Sequence, residues 1–332
     1  MTHAFSFDSE FYFLARSIFY SCSGGIITLN STLQTFHKQI MSSTKKRKAT
    51  STAASPPPAS HGILSQFSLS GRQALVTGGY GTLGTYMCRA LLEAGASVII
   101  LGRNETKCKA AVASFQSDGL ELCSYLVADV TEREELEKGC ELFEPGQGLD
   151  ILVNAAGGNS AGATVMPNQS FFEMDEPSFR QNIDLNLMGT VLPCQIFGKC
   201  INVDHGVIIN ITSLAALKPL TRVVAYSAAK AAVDNFTKWL ATEMAQKVSP
   251  KIRVNAIAPG FFLAEQNRKL LTNDDGSLTS RGTTIIKASP MNRFGNPNEL
   301  MGPLVWLCSD AASFVTGTTI AVDGGFSGWC SV

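Results

Sequence analysis

The stretch RQALVTGGYGTLGTYMCRALLEAGASVIILGRN, residues 72–104, decides the fold. It reads as a strand, a tight glycine-rich turn, a helix and a second strand. Ala74 to Val76 form a short apolar run, Thr77 to Gly84 supply the turn, and Leu83, Met87, Ala90 and Leu91 recur at helical spacing. Gly78 and Gly84 allow a pyrophosphate to rest against the backbone and the helix to pack closely on the strand, while the helix N-terminus attracts the anion. Such a unit binds a dinucleotide, with Thr77, Gly78, Tyr80, Gly81, Thr82, Leu83 and Gly84 as its candidate contacts.

A glycine-rich turn alone is weak evidence. It gains force from a second cluster: Ser213 in VIINITSLAAL lies thirteen residues before Tyr226, and Lys230 lies four residues after it in AYSAAKAAVDNF. Positions i and i+4 share a helix face, so a phenol, an ammonium and a hydroxyl can converge. The lysine charge is expected to favour the phenolate of a tyrosine whose reference pKa is about 10. That combination suits proton exchange during redox chemistry between a carbonyl and an alcohol.

With both clusters in place, the chain from about Phe67 to its C-terminus resembles the short-chain dehydrogenase/reductase family. Asp129, followed by Val130 in VADV, resembles the family's adenine-contacting aspartate. Asn154-Ala155-Ala156-Gly157 resembles its NAG motif, and Asn186 in DLNLMGT its helix asparagine. Pro259-Gly260 and Val322-Asp323-Gly324-Gly325 match later landmarks. The resemblance implies that Asn186, Ser213, Tyr226 and Lys230 are catalytic. It further implies that Lys230 reaches the nicotinamide ribose and that Asn186 holds a water in a proton relay. One departure is visible: the middle glycine of the family's TGxxxGxG turn would fall at position 82, where this chain has Thr82, preceded by Gly81.

Across the 332 residues, apolar side chains make up 45%, enough for a sheet covered by helices. The longest apolar runs fall far short of the ~20 residues that a membrane span requires. Lysine plus arginine and aspartate plus glutamate each total 27, so no global field favours nucleic acid or a membrane surface. The nine cysteines show no CxxC spacing and no convincing secretory signal precedes them, which favours reduced thiols in the cytoplasm. Cys88, Cys194 and Cys308 sit in apolar helical patterns and are assigned to packing. His205 is the sole histidine of the catalytic region, so no multi-histidine metal site is expected.

Residues 1–66 read as a flexible appendage, with an aromatic stretch, a Ser/Thr-rich segment, KKRK at 45–48 and ASPPPAS at 54–60. A targeting segment and a later start at Met41 are both open readings, although Asp8 and Glu10 argue against a transit sequence. Residues 67–332 form the expected catalytic domain. Strands are expected near 74–78, 97–101, 122–128, 149–154, 206–212, 253–258 and 319–322. Helices are expected near 82–94, 105–116, 132–142, 177–201, 225–247 and 298–309. Repeated βα units predict a single α/β domain, a Rossmann-type doubly wound parallel sheet. The expected strand order is 3-2-1-4-5-6-7. By resemblance, the two longest helices pair with their counterparts in a homodimer or homotetramer.

Cofactor choice is read at the end of the second strand, Leu101-Gly102-Arg103-Asn104. No acidic residue stands there to hold a ribose diol, Gly102 leaves room, and Arg103 suits a 2′-phosphate, so NADP(H) is favoured over NAD(H). The segment after Pro259-Gly260, about 261–292, is the expected substrate lid. It carries Glu265, Gln266, Asn267 and Arg268, equipment for hydroxyls and a carboxylate, with Arg268 and Asn267 as candidate substrate contacts. Arg222 and Arg293 are assigned surface roles. AGGN at 156–159, PLTRVVAYSAAKAAVDNFTKWLA, NAIAPGFFLAEQNRKLL, DGSLTSRG and PMNRFGNPNEL resemble the D-mannonate oxidoreductase (fructuronate reductase) branch of the family. The resemblance implies a keto-uronate or other sugar acid as substrate. A 5-keto-gluconate-like acid, a 3-oxoacyl thioester and a catalytically idle dinucleotide-binding module are the competing readings.

Overall fold

The computed structural model describes residues 62–263, 268 and 270–330. Seven strands form one sheet: β1 (Gln73–Thr77), β2 (Ser97–Gly102), β3 (Cys123–Val127), β4 (Ile151–Asn154), β5 (Val207–Ile211), β6 (Arg253–Pro259) and β7 (Thr319–Val322). Their order is β3-β2-β1-β4-β5-β6-β7 and every pairing is parallel, as the alternation of strand and helix patterns predicts. Strands covered on both faces read as unbroken apolar runs rather than alternating ones. Accordingly β4, β5 and β6 are buried at every position.

Helices cover the two faces: α1 (Thr82–Glu93), α2 (Glu105–Ser117), α3 (Arg133–Cys140), α4 (Glu176–Ile183), α5 (Gly189–Phe197), α6 (Leu214–Leu217), α7 (Val224–Lys247), α8 (Ser280–Ala288) and α9 (Met301–Cys308). One core joins Val76, Ile100 and Ile209 to Met87, Leu91 and Leu304. The other joins Leu75, Leu152 and Ile208 to Phe197, Leu240 and Met244. Cys88, Cys194 and Cys308 are buried, with thiols held well above their ordinary pKa by burial, and they act as packing residues. Among the described residues, no helix is long and apolar enough to cross a membrane. The described residues also contain no cluster of three or more potential metal ligands.

Two differences from the sequence reading matter for the site. The continuous helix expected over 177–201 is instead broken. α4, capped by Asp175 accepting from the Ser178 N–H at 2.9 Å, runs into a π-helical turn over Asp184–Met188 before α5 begins. A π turn inserts a residue into the helical register and re-aims one side chain, and apolar periodicity does not report it. The second difference is α8, inside a segment read as loop. Thr279 caps it by accepting from the Gly282 N–H at 3.0 Å, and Ile285 buries its inner face.

Candidate active site

The C-terminal ends of the strands open on a cavity of about 650 Å³. Its floor is the turn after β1. Gly78 has φ +65°, and a Cβ there would come within 2.8 Å of the Ala156 Cα. A Cβ on Gly84 would run into the Gly78 carbonyl oxygen. These two positions therefore require glycine. The turn closes through the Gly81 N–H, which donates to the Gly78 oxygen at 2.8 Å. Gly81 then caps α1 with an ordinary φ of −72°, and Thr82 is the first helical residue. The missing middle glycine is thus harmless, because position 82 needs no unusual backbone. Tyr80, Gly81, Thr82, Leu83 and Gly84 all line the cavity.

Thr77 and Asn154 work from behind the wall. The Thr77 hydroxyl accepts from the backbone N–H groups of Ala155 and Ala156, both at 3.1 Å, which pins the loop after β4 against β1. Asn154 is buried and donates to Asn210 Oδ1 at 2.9 Å, and Asn210 donates in turn to Thr237 on α7. Neither lines the cavity, whereas Ala155 and Gly157 do. Pro259 and Gly260 form the wall after β6, where a Cβ on Gly260 would meet Asp323.

At the end of β2 the room expected beside Gly102 is filled. The Tyr80 ring lies where a Cβ of residue 102 would project. Arg103, largely exposed, reaches Asp129 at 3.4 Å. Burial raises the Asp129 pKa, but hydrogen bonds from Thr131 and the charge of Arg103 outweigh it and hold the carboxyl below its ordinary value. Val130 lines the cavity beside it. Lys107, which the sequence reading passed over, lines the cavity as well.

The catalytic candidates meet where β5, α7 and the π turn approach one another. Ser213, Tyr226 and Lys230 line the cavity together. The Ser213 Oγ accepts from the Ala215 N–H at 3.1 Å and fixes the entry of α6. Lys230, 4% exposed, donates to the Ile211 carbonyl at 2.8 Å, with its Nζ 5.7 Å from the Tyr226 ring centre. The expected depression of the phenol is not what this environment produces. Burial pushes the Tyr226 phenol above its ordinary pKa, only partly offset by the Ser213 hydroxyl, and burial pulls Lys230 down to about 8. Desolvation disfavours the charged form of both groups and is the dominant cause for each.

Asn186 occupies the π turn, fully buried. Its Oδ1 accepts from the Gly158 N–H at 3.0 Å and its Nδ2 donates to the Gly158 carbonyl at 2.7 Å. This double contact ties the loop after β4 to the break in the helix. A Cβ on Gly157 would fall 2.7 Å from the Asn186 Oδ1 and 3.2 Å from the Lys230 Nζ, so both groups flank that loop.

The segment expected to form the lid is anchored at its apolar start. Phe262 is buried and pairs with Gly295 in a bridge, while the Phe261 ring packs edge-on to Phe326 at 5.3 Å. Asn267, with Glu265 and Gln266, lies outside the described residues. Arg268 is exposed and is not among the residues lining the cavity. Arg293 is engaged by Glu299, at 2.8 and 2.6 Å. Arg222 is not a plain surface residue. It sits at φ +78°, a left-handed conformation that costs a non-glycine residue roughly 1–2 kcal/mol. It is held there by bonds between its backbone carbonyl and the Val165 N–H at 2.9 Å, and between its Nε and the Val165 carbonyl at 3.3 Å.

Comparison with known proteins agrees with this geometry. A family model described as enoyl-(acyl carrier protein) reductase matches residues 81–327. The uncharacterised oxidoreductase UxuB of Bacillus subtilis (strain 168) is 43% identical over 275 residues, covering 80% of this chain and 98% of that protein. A crystal structure from Haemophilus influenzae, provisionally named a D-mannonate oxidoreductase and holding NAD, superposes with a TM-score of 0.74 at 34% identity. The match covers 80% of this chain and 98% of the other. A gluconate 5-dehydrogenase from Burkholderia cenocepacia J2315, in complex with NADP and tartrate, superposes with a TM-score of 0.69 at 32% identity. Here the match covers 80% and 99% of the two chains. The chain belongs to the short-chain dehydrogenase/reductase family of NAD(P)-dependent oxidoreductases.

Proposed function

We propose that the protein interconverts a keto group and a secondary alcohol on a sugar acid, with D-fructuronate and D-mannonate as the pair its resemblances favour. The observation that carries the chemistry is the meeting of Ser213, Tyr226 and Lys230 in one dinucleotide-sized cavity. The sugar-acid class is supported by the names of relatives matched over nearly their whole length.

The nicotinamide cofactor, when bound, supplies or accepts the hydride. In the reductive direction Tyr226, kept protonated by its burial, donates a proton to the alkoxide as it develops. Ser213 donates a hydrogen bond to the same oxygen. Such donors act on charge that exists only in the transition state and so accelerate the step rather than merely bind substrate. Lys230 holds the nicotinamide ribose. Asn186 fixes Gly158, the neighbour of the Gly157 that flanks Lys230, and, by family resemblance, holds the water of a proton relay. Pyrophosphate would lie on the Gly78–Gly84 turn at the N-terminus of α1. Arg103 and Lys107 favour the 2′-phosphate of NADP(H), since residues 102–104 offer no carboxylate for a ribose diol. α4, α5 and α7 would pair with their counterparts in a homodimer or homotetramer.

A spectrophotometric screen of uronates, keto-aldonates, aldonates and acyl thioesters with NADPH and NADH tests this reading. Turnover is expected with a keto-uronate or aldonate and preferentially with NADP(H). Turnover confined to acyl thioesters would replace the substrate class, and turnover with none would favour a non-catalytic dinucleotide-binding role.

A further inference from the structure

Among the cysteines of the described residues, Cys140 and Cys200 meet. Cys140 closes α3, and Cys200 ends the 3-10 turn Gly198–Cys200 that follows α5. Their Sγ atoms lie 2.8 Å apart, although 60 positions separate them in the chain. Contacts that do not involve the thiols hold the two segments together. Arg133, at the start of α3, donates to Gln195 on α5 at 2.8 Å, and the Phe143 and Phe197 rings pack edge-on at 5.9 Å. The N–H groups of Gly146 and Leu149 donate to the carbonyls of Lys199 and Cys200, both at 3.0 Å. Each thiol also lies against the other's segment: the Cys140 Sγ is 3.4 Å from the Ile196 carbonyl oxygen, and the Cys200 Sγ is 3.8 Å from that of Cys140. A sulfur–sulfur bond is about 2.05 Å long, so closure requires a shift of less than about 1 Å.

The two sulfurs are unequal. Cys200 is buried, whereas Cys140 is partly exposed. The hydrogen bond with Cys200 holds the Cys140 thiol below its ordinary pKa, and the charge of Lys199 assists against burial and the carboxylates of Glu137 and Glu141. Cys200 is pushed up, first by Cys140 and then by burial. The thiolate, which is the nucleophile, therefore falls on the accessible sulfur and the proton on the buried one. Cys88, Cys108, Cys123, Cys194 and Cys308 are buried with their thiols raised by burial, the environment of an inert cysteine. We propose that Cys140 and Cys200, brought together by α3 and the turn after α5, are a peroxide-sensitive pair that closes reversibly to a disulfide.

In the first step the Cys140 thiolate attacks one oxygen of a hydroperoxide. An S–O bond forms, the O–O bond breaks, and the other oxygen leaves and takes up a proton. The Cys200 sulfur then attacks the sulfenic sulfur of Cys140. An S–S bond forms, the S–O bond breaks, and the departing hydroxide takes the Cys200 proton and leaves as water. Two electrons pass from the two thiols to the O–O bond. A dithiol reverses the step by exchange and is itself oxidised to a disulfide. The new bond closes a loop that holds β4, the Asn186 turn and α5, and so restricts the unfolded chain. Neither sulfur lines the cavity, so the disulfide is a staple for this part of the fold and not a block on cofactor binding.

The test treats the full-length protein with hydrogen peroxide, alkylates the remaining thiols after unfolding, and maps the peptides beside those of untreated protein, Cys140→Ser and Cys200→Ser. A disulfide-linked pair joining Cys140 to Cys200 is expected in the treated wild type alone, with Cys88, Cys194 and Cys308 recovered as free thiols. The melting temperature of the oxidised wild type should rise by about 4–8 °C and return with dithiothreitol, and neither serine variant should shift upward. The dissociation constant for NADPH should stay within about twofold. Oxidation of Cys140 to a sulfinic acid without a cross-link, a disulfide from either residue to Cys330 or to a second copy of the chain, or a linked pair that melts no higher than the reduced protein would each overturn the proposal. If Cys200→Ser does not fold, Cys140→Ser, changed at a partly exposed position, and the mapping of the wild type still decide it.

Discussion

At the β1–β2 end of the cavity the wall is made of backbone, held by glycines at which a methyl group has no room. At the Tyr226 end it is made largely of side chains: Thr212 and Ser213 after β5, Tyr226 and Lys230 on α7, Leu185 in the helix break, and Phe261 and Phe262 after β6. The first region tolerates no added volume at Gly78 and Gly84, whereas position 82, at the start of α1, accepts Thr82 in place of the family's glycine. The second depends on the charge and protonation of a few buried groups. On the function proposed above, the turn that would cradle the cofactor is fixed by sterics, whereas the end that would act on the substrate is fixed by electrostatics.

The sharpest break in that comparison is Tyr226→Phe, which keeps the volume and removes the transferable proton. Turnover is expected to fall by about 10²–10⁴-fold, with folding and the dissociation constant for NADPH unchanged. Steady-state kinetics beside fluorescence titration of cofactor would check both halves, and more than about a tenth of wild-type turnover would remove Tyr226 from its role. Gly84→Ala is the reciprocal experiment at the backbone end. The added methyl meets the Gly78 carbonyl and pushes α1 off β1, so cofactor affinity should drop by at least tenfold and stability should fall by ~1–3 kcal/mol, the cost of overpacking. Titration and thermal melts measure the two, and an unchanged melting temperature would show that the turn yields.

How much of this was legible in the sequence follows the same division. Sheet order, the glycine turn and the convergence of Ser213, Tyr226 and Lys230 all come from local pattern, because strand burial and helix spacing are local properties. The π turn at Asp184–Met188 was not legible, since its apolar residues fit an ordinary helix as well as an interrupted one. The room assumed beside Gly102 was filled by a ring from twenty-two residues earlier in the chain. The raised Tyr226 pKa was missed for a related reason: the i, i+4 lysine is visible in the sequence, but the burial that raises the phenol is a property of the whole fold.

Arg103→Ala sharpens the comparison at the edge of the cofactor region, where side-chain charge enters a wall otherwise made of backbone. The exposed guanidinium should contribute modestly, so NADPH affinity is expected to weaken about tenfold while NADH affinity is retained. Gly102→Asp is a poorer probe, because the new side chain would have to displace the Tyr80 ring. Equal losses on the two cofactors, read by titration, would detach Arg103 from the 2′-phosphate.

The smallest effect is expected in stability, and it concerns Lys230. Its ammonium has a pKa of about 8 in the folded protein, against ~10.4 in an unfolded chain. Between those values the unfolded state binds more protons, so stability should rise with pH from about 8 towards 10. Tyr226, with its raised pKa, works the other way at the top of that window, because the folded state keeps a proton that the unfolded state has lost. Below pH 8 the full cost of burying the ammonium is present, and Lys230→Met should therefore melt higher at pH 7, by roughly 2–4 °C for each kcal/mol relieved. The lost bond to the Ile211 carbonyl reduces the gain without reversing it, since desolvation of a charge outweighs one neutral acceptor. The same substitution should cripple turnover and weaken cofactor binding. Thermal melts of both proteins from pH 6 to 10 decide the matter: a variant that melts lower at every pH, or a wild type whose stability is flat above pH 8, would mean that Lys230 is not held there against its own solvation.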